Sequence, residues 1–140
     1  MSRCILDTDI LSEIIKGRDP VVAARARAYL QQHARFTTSA VTVAEIVYGF
    51  RRIGREDRVT QFEASLSDVE VLHFDDAAAR RAGRINADLE RSGRTIGMPD
   101  VMIAGVAIQH GLPLVTGNTA HFEYVRAAGY DLDLRNWRQG

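Results

Sequence analysis

Short apolar runs that end in a polar or acidic residue alternate along this chain with segments of helical spacing. Residues 3–8 begin apolar and finish in Asp-Thr, which predicts a buried strand with a polar carboxyl end. Ile10, Leu11, Ile14 and Ile15 then fall at helical spacing until Gly17. Pro20 opens a second helix through residue 33, and residues 36–39 read as a short strand. Ser39 or Thr42 caps a helix that carries Val43, Ile46, Val47 and Phe50 on one face. Gly54 breaks it, and residues 57–67 form the next helix. Residues 69–74 are a strand, and Asp75 or Asp76 caps a long helix to about residue 92. Gly93 and Gly97 frame a loop. Pro99 opens a strongly apolar helix, and residues 112–116 are a strand. A turn or short helix at 119–127 leads to a returning edge strand near 130–134. Such alternation predicts an α/β fold: three α/β/α layers around a mainly parallel sheet of roughly five strands. In such sheets reactive groups gather at the carboxyl ends of the strands.

At 140 residues, 46% hydrophobic and 26% charged, the chain has the size and composition of one globular domain, 1–140. The single cysteine, Cys4, excludes an internal disulfide and a cysteine-based zinc cage, and sits where a core residue belongs. No run approaches the roughly 18 apolar residues of a membrane helix. No secretory leader pattern opens the chain, so the cytoplasm is the expected compartment. Eighteen basic residues balance eighteen acidic ones, so there is no strong overall field for nucleic acid. An uneven distribution can still place a basic rim around an acidic site. Lys16 is the only lysine, so any chemistry that needs a lysine has that one alone.

Asp7 follows the first strand, Asp100 opens the apolar helix, and Asn118 lies just beyond the fourth strand. Each has an ordinary structural reading: a helix cap, a first-turn acid favoured by the helix dipole, an Asx turn. Glu45 reads equally as a first-turn glutamate or as a capping-box partner of Thr42. Convergence favours a site. Carboxylates gathered at strand ends repel one another unless protonated or metallated. Hard oxygen ligands select Mg²⁺ or Mn²⁺. His33, His73 and His110 are scattered without ligand spacing and read as structural, and Trp137 as a packing residue for the last strand.

Four blocks carry a further signal: residues 5–13 (ILDTDILSE), 38–49 (TSAVTVAEIVYG), 98–104 (MPDVMIA) and 114–122 (LVTGNTAHF). In this order the chain resembles the PIN-domain ribonucleases, and within them the VapC-type toxins of bacterial toxin–antitoxin pairs. The resemblance implies that Asp7, Glu45 and Asp100 are metal-binding acids and that Asn118 completes the catalytic set. It implies a Mg²⁺-dependent endoribonuclease, with Mn²⁺ as a substitute ion. Many family members carry an acid where this chain has His121, and asparagine is common where it has Asp9. The implied partners are RNA, a cognate antitoxin protein and a second copy of the chain. Arg91 and Arg94, just before Asp100, are the first candidates to contact RNA phosphate. Arg51, Arg52, Arg55 and Arg58 form a second basic cluster, read as a solvated surface or an antitoxin contact. Ile14, Ile15, Tyr48, Phe50 and Phe62 offer an apolar groove for the antitoxin, or ordinary core.

Two other readings stand beside this one. Asp7-Thr8-Asp9 resembles the opening of haloacid-dehalogenase-type phosphatases, but these need a later lysine, and none follows Lys16. A catalytically silent PIN fold that binds RNA or a partner is the alternative from another class. Such a protein is expected to lose its acids, and here only the His121 position departs.

Overall fold

The computed structural model describes residues 2–139. The chain runs β1 (Ile5–Leu6), α1 (Thr8–Lys16), α2 (Pro20–His33), β2 (Phe36–Ser39), α3 (Ala40–Arg52), α4 (Glu56–Ser65), a 3₁₀ turn (Leu66–Asp68) and β3 (Val69–Leu72). It continues α5 (Asp76–Arg91), α6 (Met98–His110), β4 (Leu114–Val115), α7 (Thr119–Ala127) and β5 (Leu134–Arg135). The five strands lie in the order β3-β2-β1-β4-β5 and every pairing is parallel. The α/β sandwich expected from the alternation is therefore present, and its sheet is parallel throughout. The last strand does not return: β5 pairs in parallel with β4, Val115 opposite Arg135, and lies slightly later than residues 130–134.

Strand alternation divides the core in two. Ile5 and Leu114 point to the layer of α5, α6 and α7, where they meet Ile85, Ile103 and Phe122. Leu6 and Val115 point to the other layer, against Ile10, Val22, Tyr29 and Phe62. This two-residue period is the geometric property of a strand. Cys4 is buried on the second side, and burial pushes its thiol up to about 11, so it is a core residue and not a nucleophile. Trp137 is also buried there, its ring 5.6 Å from that of Tyr29.

Strand order reverses between β1 and β4, which both start from the middle of the sheet. The crevice beyond the carboxyl ends of such a pair is where open parallel sheets bind ligands. Asp7 N donates to Val115 O at 3.0 Å, so the first residue after β1 is tied to the end of β4. On the far layer, α6 packs closely against α5 at Gly105. A Cβ there would lie 2.8 Å from Ala78 O and 3.3 Å from Ala82 Cβ.

Candidate active site

Asp7 is the N-cap of α1, its Oδ1 accepting from Ile10 N at 2.9 Å. It is only 4% exposed. Burial pushes its carboxyl up from 3.8 to about 7, and the charges of Asp9 and Asp100 push the same way. Hydrogen bonds from Thr116 and Ile10 N oppose them. Capping alone does not account for such a residue, because a cap gains nothing from being starved of water. Asp100 lies in the first turn of α6, half-buried. Its carboxyl is raised first by burial and then by the charge of Glu45, while His121 pulls it down.

Glu45 differs from its sequence-based reading. The helix α3 starts at Ala40, so Glu45 stands in the second turn, and Ser39, not Thr42, is the cap: Thr42 N donates to Ser39 Oγ at 3.1 Å. Glu45 is no capping-box partner. Its Oε1 accepts from the Thr8 hydroxyl at 2.5 Å, and that hydroxyl lies 3.1 Å from Thr42 Oγ1. A threonine one residue past Asp7 thus aims a carboxylate from a different helix.

Asn118 precedes α7 and makes no side-chain cap. Its backbone N donates to Thr116 Oγ1 at 2.9 Å, and its Nδ2 donates to His121 Nδ1 at 2.8 Å. The fully buried Thr116 therefore accepts from Asn118 and donates to Asp7. The hydroxyl joins the two strand ends. Thr8 and Thr116 were not singled out in the sequence. Their signal was position: Thr116 directly follows β4, and Thr8 is the second residue after β1.

Asp7, Glu45, Asp100, Asn118 and His121 are thus linked by hydrogen bonds or by mutual charge. Among the described residues, no three His, Cys, Asp or Glu side chains are closed tightly enough to hold an ion as they stand. The donor set is nevertheless of the kind a hard dication takes. It offers carboxylate oxygens, one nearly dry, whose repulsion a positive ion would relieve.

Arg91 and Arg94 come together at a cleft of about 480 Å³ with Asp88, Ser92 and Tyr124. Arg91 pairs with Asp88 at 3.5 Å, and the Arg94 guanidinium stands 5.3 Å from the Tyr124 ring centroid. Tyr124 is one turn beyond His121 on α7, so cleft and site share that helix. A wider cleft of about 720 Å³, lined by Glu123, Arg126, Tyr130 and Asp133 among others, contains none of Asp7, Glu45 and Asp100. In the second basic cluster Arg51 pairs with Glu56 and Arg55 with Asp57, both exposed, as a solvated corner would be.

The apolar groove exists with different walls. Leu11, Ile14 and Ile15 of α1, Leu30 of α2, Phe36 and Phe62 line about 460 Å³. Tyr48 is not among them and stands 66% exposed, while Phe50 packs against the core.

Residues 4–127 match the PIN domain family. The sequence is 40% identical over 126 residues to the tRNA(fMet)-specific endonuclease VapC of Shigella flexneri, covering 89% of this chain and 93% of that one. It is 33% identical over 138 residues to Ribonuclease VapC2 of Haemophilus influenzae, covering 98% and 99%. In structure it is similar to DNA-bound VapBC from Salmonella typhimurium, with a TM-score of 0.81 at 31% identity over 98% of this chain and 99% of that one.

Proposed function

Because the chain belongs to the PIN-domain family, and within it to the VapC ribonucleases, we propose that it is a Mg²⁺-dependent endoribonuclease acting as the toxin of a toxin–antitoxin pair. The observation that carries the metal dependence is Asp7, a nearly buried carboxylate whose burial and acidic neighbours oppose its ionisation. Placing a cation beside Asp7 and Asp100 turns this repulsion into binding energy.

Asp7 and Asp100 would hold the ion, with Glu45 either reaching it or orienting the attacking water. A bound dication supplies charge neutralisation at the scissile phosphate and lowers the pKa of water. Thr8 fixes the direction of Glu45, and Thr116 that of Asp7. Asn118, held by Thr116 and bonded to His121, would position a water or the phosphate. Arg91 and Arg94 would take up flanking phosphates in the cleft beside Tyr124. Mn²⁺ would serve in place of Mg²⁺, since both accept hard oxygen donors.

The partners follow from the same family. The similar structures include a member of the VapBC family of toxin–antitoxin systems from Mycobacterium tuberculosis. An apolar segment of the antitoxin would occupy the groove between α1, α2 and α4, with a homodimer as the toxin's own assembly. Two similar proteins are named for tRNA(fMet), which makes that RNA the first substrate to try.

The test is cleavage of a structured RNA pool containing tRNA(fMet), with Mg²⁺, with EDTA, and with Asp7→Asn and Asp100→Asn. Cutting that needs Mg²⁺ and vanishes in both variants is expected. Folded, antitoxin-free protein that cuts nothing with Mg²⁺ or Mn²⁺ would instead favour the silent binding protein.

A further inference from the structure

The last turn of chain after β5 crosses back over the start of α1. Parallel pairing of Arg135 with Val115 brings this segment beside the β4–α7 loop. Buried Trp137 anchors it against Tyr29. Arg138 then reaches three acids. Its Nη2 donates to Asp9 Oδ1 at 2.9 Å and its Nε to Asp9 Oδ2 at 3.3 Å. Its Nη1 lies 3.3 Å from Asp19 Oδ2 and 3.5 Å from Glu13 Oε1. Asp9 is thus gripped by both oxygens in the fork geometry that only arginine provides.

The space for this grip is provided by Gly117. A Cβ there would fall 2.5 Å from Asp9 Oδ2 and 2.9 Å from Arg138 Nε. Gly117 is not among the glycines with positive φ, so its backbone conformation is open to other residues. A side chain at 117 would instead push the ion pair from its path over the loop that carries Thr116 and Asn118.

We propose that Arg138 is a positioning residue for the metal-binding edge of the site. It holds Asp9, two residues from Asp7, out of the donor set and offsets its charge where an RNA phosphate must approach. The proposal rests on the metal-dependent nuclease reading. Without Arg138, Asp9 becomes a free carboxylate beside Asp7. A divalent ion then binds more tightly, and a polyanionic substrate more weakly.

The experiment compares wild type, Arg138→Gln, Asp9→Asn and the double variant. Mn²⁺ binding is measured by titration calorimetry without RNA, and KM and kcat for RNA separately, on protein shown by circular dichroism to be folded. In Arg138→Gln, Mn²⁺ affinity should rise about fivefold and KM should rise about fivefold, as expected for one freed, partly screened charge. The kcat should stay within about twofold, and Asp9→Asn in the same chain should reverse both changes. A purely structural latch would lower the melting temperature and leave Mn²⁺ affinity alone. Unchanged Mn²⁺ affinity and KM in Arg138→Gln, or changes that persist in the double variant, would overturn the proposal. Should Arg138→Gln fail to fold, Arg138→Lys keeps the charge but loses the fork, and must show the same directions at smaller size. Wild-type protein that binds no Mn²⁺ would overturn the nuclease reading and this one with it. Wild-type binding with an indifferent Arg138→Gln would overturn this one alone.

Discussion

Asp7 has two jobs that pull in opposite directions. As N-cap it accepts from Ile10 N, a bond that favours the charged form; as a nearly buried acid it resists ionisation. The sign for stability follows from its pKa, raised from 3.8 in the unfolded chain to about 7 in the fold. Between these values the folded state holds a proton that the unfolded state has lost. Stability of the metal-free protein from this group is therefore full below pH 4 and is lost as pH rises through 7. At roughly 1.4 kcal/mol for each pKa unit, the loss is a few kcal/mol. Asn caps as well as Asp. Asp7→Asn is thus expected to abolish RNA cleavage, by about 100-fold or more, while raising the melting temperature of metal-free protein at pH 8. The gain should shrink toward pH 5, and Mg²⁺ should stabilise only the wild type. Calorimetric melts at both pH values, with and without Mg²⁺, check this. Thr116→Val tests the companion bond. Without the hydroxyl, the Asp7 carboxyl rises further, and the acidic limb of the pH–rate profile should move to higher pH.

At the scale of elements, Gly105 shows packing overruling propensity. In a helix interior, Gly→Ala ordinarily stabilises by about 1 kcal/mol. Here the added Cβ would meet Ala78 O at 2.8 Å, a backbone atom of α5 that cannot swing aside. Gly105→Ala should therefore cost a net ~2 kcal/mol. Urea unfolding should show a lower midpoint with the slope kept. The same override explains which elements were legible. Helices with a proline or aspartate start, such as the Ala/Arg-rich α2 and the amphipathic α5, could be read from their own residues. The strands β1 and β4 are two residues long, and their pairing depends on neighbours far away in the chain. The direction of β5 is set by the chain's route over α7, which no local pattern records. In the site, Asp7 and Asn118 stand out in the sequence because strand ends are local features, whereas Glu45, inside α3, enters only through the family resemblance. The Thr8–Glu45 bond spans 37 residues and the Arg138–Asp9 pair 129, and neither leaves a mark in spacing.

For the whole molecule, the acidic crevice and the apolar groove are built from different parts of one layer order. Asp7 and Asp100 lie at the starts of α1 and α6, and Glu45 joins them from the second turn of α3. The groove lies along the flanks of α1, α2 and α4. Yet α1 serves both, with Asp7 at its cap and Ile14 and Ile15 in its last turns. A segment seated in the groove therefore touches the helix that Asp7 caps. The two proposed roles, cleavage at the crevice and antitoxin binding in the groove, are separable by substitution, because Leu30 lines the groove from α2 and is 38% exposed. A charge there has water within reach in the free protein, so the fold should lose less than about 0.5 kcal/mol. In a complex the same charge would be buried against an apolar partner, where an unpaired carboxylate costs several kcal/mol. Leu30→Glu should then leave RNA cleavage by the isolated protein unchanged and weaken the cognate antitoxin by at least 100-fold, about 3 kcal/mol. Titrating antitoxin into the cleavage reaction measures both at once. Full inhibition of Leu30→Glu at wild-type antitoxin concentrations would place the antitoxin on another face of the molecule.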